Sequence, residues 1–273
     1  MIKKFFKALY VKTFNPSLKT ESINLLGKQL IVTKGAIREK ADQDDAWFYA
    51  LATNHNIIYD IGANIGYDSL LATLKDKSKR IVLIDANKVA LTYAAQNLIT
   101  NQLSLNKIFI VGAMTDKKGT MEFHTLGTAP AGSLFKDMST SASMVHSSLI
   151  VSTDTIDNVI NDTGIIPELV KIDIEGAEII ALKGAIILAL GQKCKFIVEM
   201  HSSKSLTMLN NAQGAIDWCR ANNYIPYYLK EHTQLTSANT IAHRGRCHLL
   251  LLPKNVKYPE YLQNIKEGSD IGL

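Results

Sequence analysis

At 273 residues, 30.1 kDa and 47% hydrophobic composition, the chain can build one α/β domain with additions around a sizeable core. The formal net charge of +5 is modest, and no arginine-rich stripe with interleaved aromatics accompanies it, which argues against a nucleic-acid partner. Cys194, Cys219 and Cys247 lie far apart without C-x-x-C spacing, a pattern that argues against a zinc cluster or a disulfide framework and fits a reducing cytoplasm.

Residues 1–56 read as an N-terminal extension of short helices and a hairpin, preceding a domain over 57–273. The segment Met1–Lys12 sets Lys3, Lys4, Lys7 and Lys12 among Phe5, Phe6, Leu9 and Tyr10. Two readings fit it: a short helix packed on the domain with its lysines solvated, or peripheral contact with the anionic inner face of a membrane. No stretch of about 20 apolar residues is present to span a bilayer, and no signal-peptide cleavage pattern follows the N-terminus, so the expected location is cytoplasmic. A hairpin is expected over Ser22–Val32 and a helix around Asp44–Leu51.

From Ile57 onward, strands alternate with helices, the pattern of a doubly wound, mostly parallel sheet. Strands are expected at 57–60, 80–84, 107–111, 168–172 and 194–199, with helices near 66–75, 87–101, 176–190 and 205–222. The first βα turn is the most informative part of the chain. The apolar run ending in Asp60 passes into Gly62-Ala63-Asn64-Ile65-Gly66 before helical spacing resumes. Gly62 and Gly66 permit a tight turn and a close backbone approach. The spacing is Asp-x-Gly-x-Asn-x-Gly rather than Gly-x-Gly-x-x-Gly, which disfavours a dinucleotide-dependent dehydrogenase. Asp60 places a negative charge where a pyrophosphate would sit, whereas a cationic ligand bearing an amino group, S-adenosylmethionine, suits it. Asp85, at the tip of the second strand, can accept both hydroxyls of an adenosine ribose. Ala86 follows it in the same turn. Ala113 and Met114, after the third strand, are candidates for the adenine wall.

Between the third and fourth strands lies an insertion near 112–167, in which Gly119–His124 and Leu149–Thr153 read as the strands of a hairpin. Its Ser-rich stretch, Asp137–Met144, suits either a lid or an ordinary loop. The fourth strand then runs into Lys171-Ile172-Asp173-Ile174-Glu175-Gly176, with Lys171, Asp173 and Glu175 expected on one face by period two. Glu199 and His201 end the next strand at the same edge. Such charges are costly unless they pair or bind something. Near the C-terminus, 224–229 and 248–253 read as an antiparallel strand pair.

The blocks YDIGANIGYDSLLA (59–72), LIDANKVALTYAAQNL (83–98), GAMTDKKGTMEF (112–123) and LVKIDIEGAEIIALKGA (169–185), with VEMH (198–201), resemble the FkbM family of S-adenosylmethionine-dependent methyltransferases. Asp85-Ala86-Asn87 stands where that family usually has Glu-Pro-Asn, which keeps the carboxylate. The resemblance implies a class I, Rossmann-like methyltransferase fold. It also implies methyl transfer to a hydroxyl, often on a sugar of a polysaccharide, glycolipid or secondary metabolite. On that reading Asp60, Gly62, Ala63, Asn64, Gly66, Asp85, Ala86, Ala113, Met114 and Asp173 hold the cofactor. His201 is the first candidate general base because an unperturbed imidazole titrates near neutrality. Asp173 is the second, with Glu175 and Glu199 orienting hydroxyls. Asp173 and Glu199 could also share a Mg²⁺, but Lys171 is the expected partner for these carboxylates, so no metal is assigned. The competing functions are a non-catalytic module of the same fold, and an RNA- or N-directed methyltransferase. The latter lacks an Asn-Pro-Pro-Tyr-type motif after the fourth strand.

Overall fold

The computed structural model describes residues 19–37, 42–125, 132–134, 148–266 and 268–271. The lysine-rich segment 1–12 and the Ser-rich stretch 137–144 lie outside them. No helix among the described residues is long and apolar enough to cross a membrane.

A hairpin, β1 (Thr20–Leu25) and β2 (Lys28–Thr33), is followed by α1 (Gln43–Thr53). The central elements are β3 (Ile57–Ile61), α2 (Tyr67–Leu74), β4 (Arg80–Asp85), α3 (Lys88–Thr100) and β5 (Lys107–Val111). The insertion forms β6 (Ala113–Met114), β7 (Gly119–Thr125), β8 (Gly132–Ser133), β9 (Ser148–Asp154) and α4 (Ile156–Thr163). The chain ends with β10 (Leu169–Ile172), α5 (Glu178–Lys183), α6 (Ile186–Leu190), β11 (Lys195–His201), α7 (Met208–Ala221), β12 (Tyr224–Tyr228), β13 (Thr233–Gln234) and β14 (Arg246–Pro253).

Eight strands form one sheet in the order β13-β12-β14-β11-β10-β3-β4-β5. The run from β11 to β5 is parallel, and β14 and β12 add to it antiparallel, as the pattern of apolar runs predicts. The fold is α/β, with a mostly parallel central sheet extended by antiparallel strands. Strand order reverses between β3 and β10, so the crevice for a ligand opens at their carboxyl ends. The inserted hairpin is larger than expected: β7 and β9 pair antiparallel within a second, four-stranded sheet that also holds β6 and β8.

Period-two alternation divides the core. Tyr59, Ile61, Val170, Ile172, Phe196 and Val198 pack on one side of the sheet. Ile58, Leu169, Ile197 and Leu250 pack on the other. Two departures from sequence have local causes. The single helix expected over 176–190 is broken into α5 and α6 at Gly184, where an added Cβ would lie 2.1 Å from the Thr115 carbonyl oxygen. The N-terminal hairpin is bound to α3 by asparagines one turn apart. Asn97 Oδ1 accepts the Thr33 N–H at 2.7 Å, and Asn101 exchanges two hydrogen bonds with the Ile31 backbone.

Candidate active site

The loop after β3 is shaped by contact. Gly62 has φ +80°, and a Cβ there would lie 1.8 Å from the Asp173 carbonyl oxygen, so the loop passes directly over the end of β10. Gly66, φ +84°, has its own packing reason: a Cβ would meet Ala94 of α3 at 2.8 Å. The loop N–H groups are committed internally. Those of Gly62 and Ala63 donate to the Ile84 carbonyl, that of Gly66 to the Ala63 carbonyl, and that of Asn64 to Asp85 Oδ2 at 2.7 Å. A phosphate cradle needs such groups free and pointing outward. Beside the loop stand carboxylates instead, Asp68 of α2 and Asp85 of β4.

A cavity of about 300 Å³ lies against the loop. Of the residues expected to hold a cofactor, Gly62, Ala63, Asn64, Asp85, Ala86, Ala113, Met114 and Asp173 line it, and so does Glu175. Asp85 is fixed at its wall, because Oδ1 accepts the Asn87 N–H at 2.7 Å and Asn87 in turn caps α3. Burial pushes the Asp85 carboxyl up to about 6, against these backbone hydrogen bonds.

Two residues of the expected cofactor set stand apart from the cavity. Asp60 and Gly66 are absent from the cavity wall. Asp60 is fully buried on the far side of the loop, where Ser69 Oγ donates to Oδ2 at 2.7 Å and Lys171 Nζ lies 3.6 Å from Oδ1. Burial raises its carboxyl to about 6, opposed by Lys171. Asp60 is thus held by Ser69 and Lys171, and Asp68, which no sequence motif marks, lines the cavity. Also unforeseen are Phe123 and Leu134 from the insertion and Gly35-Ala36-Ile37 from the N-terminal extension, which close the cavity. No local motif marks these residues. Strand alternation gives Phe123 an inward side, but not a ligand to face.

On the face of the sheet shared by Asp60, the charged side chains form a continuous ribbon. Lys171 is the register partner of Asp60, and Glu199 that of His248. Lys171 Nζ lies 3.0 Å from Asp68 Oδ2 and 3.3 Å from Asp173 Oδ2. Burial opposes its charge, yet Asp68, Asp173 and Asp60 together hold its pKa well above the ordinary lysine value. Expected period-two alignment of Lys171, Asp173 and Glu175 stops early, because β10 ends at Ile172 and Glu175 adopts φ +52°. Asp173 faces this ribbon and the main cavity at once. It also borders a second cavity of about 20 Å³, walled by Asp44, Asp45, Asp68, Glu199 and His248.

His201 is 7% exposed and lines neither cavity. Nδ1 lies 2.9 Å from Glu178 Oε1. Nε2 faces Glu199, Glu175 and Asp173 at 3.5, 3.6 and 3.9 Å. Burial alone would lower its pKa, but Glu178 and Glu199 outweigh that and push it up to about 11. Four carboxylates surround the imidazole expected to act as a base: Glu178, Glu199, Glu175 and Asp173. Glu199 is held well below the usual carboxylate range, burial notwithstanding, by His201 and His248. Burial raises Glu175, whose carboxylate has no hydrogen bond among the described residues.

Residues 60–226, more than half of the chain, match the methyltransferase FkbM domain, and the chain belongs to that family. A solved FkbM methyltransferase from Methylobacillus flagellatus is similar at 18% identity and TM-score 0.44, covering 72% of this chain and 43% of that one. The present chain thus spans less than half of that structure's length. A SAM-dependent methyltransferase from Agrobacterium tumefaciens is similar at 10% identity and TM-score 0.48, covering 87% and 71%. TYW2 from M. jannaschii, solved in complex with AdoMet, is similar at 12% identity and TM-score 0.42, covering 85% and 84%. No curated protein matches the chain.

Proposed function

We propose, from the premise of an FkbM-family methyltransferase, that the protein methylates a hydroxyl of a polyhydroxylated acceptor, most simply a sugar. One observation carries this reading. The cavity lining includes the carboxylates Asp68, Asp85, Asp173 and Glu175 beside Lys171 and apolar residues, and Glu175, which the cofactor reading below does not use, together with Glu199 beyond Asp173, suits hydrogen-bond donors of an acceptor. A sugar offers several O–H donors. An RNA substrate would bring phosphates against the same wall, which disfavours that alternative.

The bound cofactor supplies an electrophilic methyl group on a positively charged sulfur. Asp85 accepts the ribose hydroxyls, and Asp68 and Asp173 balance the positive charge. Ala86, Ala113, Met114 and Phe123 give the adenine an apolar surface. Positioning of the acceptor oxygen against the methyl group supplies much of the rate, potentially about 7–11 kcal/mol. We assign proton acceptance to Glu175: it lines the cavity, burial raises its basicity, and no hydrogen bond among the described residues occupies it. Glu175→Gln is expected to lower kcat by about 10²–10⁴-fold while leaving cofactor affinity within a few-fold, as measured by labelled methyl transfer to the acceptor.

The test is a thermal and chemical stability shift with S-adenosylhomocysteine, followed by transfer of labelled methyl to a panel of free sugars and glycans. At 100 times its Kd the ligand adds about 2.7 kcal/mol, and Asp85→Ala abolishes the shift. Labelled product on amines or RNA, with none on sugars, would overturn the acceptor assignment. A pH dependence follows from Asp85. Its carboxyl titrates at about 6 in the folded protein, and only the ionised form accepts two hydroxyl donors. Affinity for S-adenosylhomocysteine should therefore fall about tenfold from pH 7 to pH 5, and Asp85→Asn should flatten that profile. The apoprotein shows the opposite sign. A raised carboxyl pKa contributes stability below the unfolded value, and this contribution is lost as pH rises through 6.

A further inference from the structure

The acids around β10 and β11 outnumber the cations paired with them, and one point among them is enclosed in a specific way. His201 donates from Nδ1 to Glu178, whose carboxylate is fully buried and also accepts the Gly176 N–H at 2.7 Å. That bond aims the other ring nitrogen, which is buried, at three carboxylates, of which Glu199 is the nearest. The separations from Nε2 are 3.5, 3.6 and 3.9 Å. All exceed the roughly 2.7–3.2 Å of an N–H···O bond. A cation bound at about 2.1 Å, by contrast, sets neighbouring and opposite ligand atoms about 3.0–4.2 Å apart. Donor atoms of Asp173, Glu199 and His201 all lie within 4.8 Å of one another.

The two carboxylates are divided to match. Asp173 turns Oδ2 to Lys171 at 3.3 Å and leaves Oδ1 facing His201. Glu199 turns Oε2 to His248 at 3.3 Å, while Oε1 faces His201 and is steadied by Arg246 Nε at 3.1 Å. Outer partners of this kind orient metal-ligating carboxylates, and a carboxylate on the far nitrogen orients a ligating histidine.

We propose that Asp173, Glu199 and His201 form a divalent-cation site, with Glu178 as its positioning residue and Glu175 at its rim. This departs from the sequence reading, which assigned no metal. One imidazole with two carboxylates suits a first-row ion that accepts both nitrogen and hard oxygen, of which Mn²⁺ is the representative. Asp173 also borders the cofactor cavity, so positions of the ion left open by the protein adjoin the place where an acceptor hydroxyl is read above; that last step alone rests on the proposed function.

The test uses the full chain and Mn²⁺ alone. Mn²⁺ paramagnetic resonance titration should show one bound ion, and spin-echo modulation should show a directly coordinated imidazole ¹⁴N. His201→Gln should weaken Mn²⁺ binding at least tenfold, and Glu178→Gln about 10–100-fold. Retained S-adenosylhomocysteine binding certifies that the variants fold. No saturable Mn²⁺ binding up to millimolar concentration in the unmodified protein, or a bound ion without nitrogen modulation, overturns the site. The two readings fail separately: loss of the homocysteine-ligand shift in the unmodified protein sinks the cofactor assignment and leaves the Mn²⁺ result standing.

Discussion

Gly62→Ala is expected to destabilise the protein by about 3–5 kcal/mol, combining severe overpacking with an unfavourable left-handed backbone. The Cβ would lie 1.8 Å from the Asp173 carbonyl oxygen and 2.8 Å from its carbonyl carbon, and the third neighbour is Ile174. All of these belong to the turn that carries Asp173 and Glu175 to the cavity, so the variant should lose cofactor binding even where it remains folded. Gly27→Ala supplies the control. Its φ of +75° is comparable, but nothing lies within 4 Å of the added atom, and about 1–2 kcal/mol is expected from backbone strain alone. Urea denaturation of the pair separates the close approach from the dihedral angle. Equal losses would show that the β3 loop does not press on β10.

Lys171→Met should cost about 3–5 kcal/mol at pH 7.5, because it leaves buried carboxylates without their cation. Lys171 is 8% exposed, and its ammonium sits within 3.6 Å of Asp60, Asp68 and Asp173. Met keeps most of the aliphatic stem, so the loss reads out charge rather than volume. The pH dependence has a definite sign. Burial already lifts Asp60 to about 6 with Lys171 present. A carboxyl with a raised folded pKa loses its stabilising contribution as pH rises through that value, and removing Lys171 raises it further. The variant's deficit should therefore shrink from pH 7.5 to pH 5.5, as measured by denaturant midpoints at constant m. A deficit that grows toward acid would mean that the three carboxylates do not depend on Lys171 for their charge.

Several residues that line the candidate cavity are legible in the sequence because backbone demands leave traces in a linear chain. A glycine at position 62 and an acid at the tip of β4 recur at a spacing that only a strand–turn–helix unit requires, and both line the cavity. The antiparallel β12–β14 pair was legible for the same reason, as two apolar runs bounded by polar residues. The surroundings of Asp60 are not legible in the sequence, because a strand residue's side is set by alternation, while what covers that side is set by a helix packed above it. Ser69 of α2 and Lys171 of β10 enclose the carboxylate, and neither is adjacent to it in sequence. The surroundings of His201 are hidden in the same way. Its basicity depends on Glu178, 23 residues away on α5, and on Glu199, two residues before it.

By itself, then, the sequence determined the alternation of strands and helices, the sharp turn at Gly62, the strand-end carboxylate of Asp85 and the family to which these belong. Each rests on local backbone geometry or on a periodicity of two or 3.6 residues, which neighbouring positions suffice to encode. Tertiary structure alone decided which acids face a ligand and which are spent on Lys171. It also decided that Gly35 to Ile37 and Phe123 close the cavity, and that four carboxylates converge on one imidazole. Those outcomes depend on strand order and on the burial that raises or lowers each charge. Both are properties of segments far apart in the chain, brought together only when the sheet has formed.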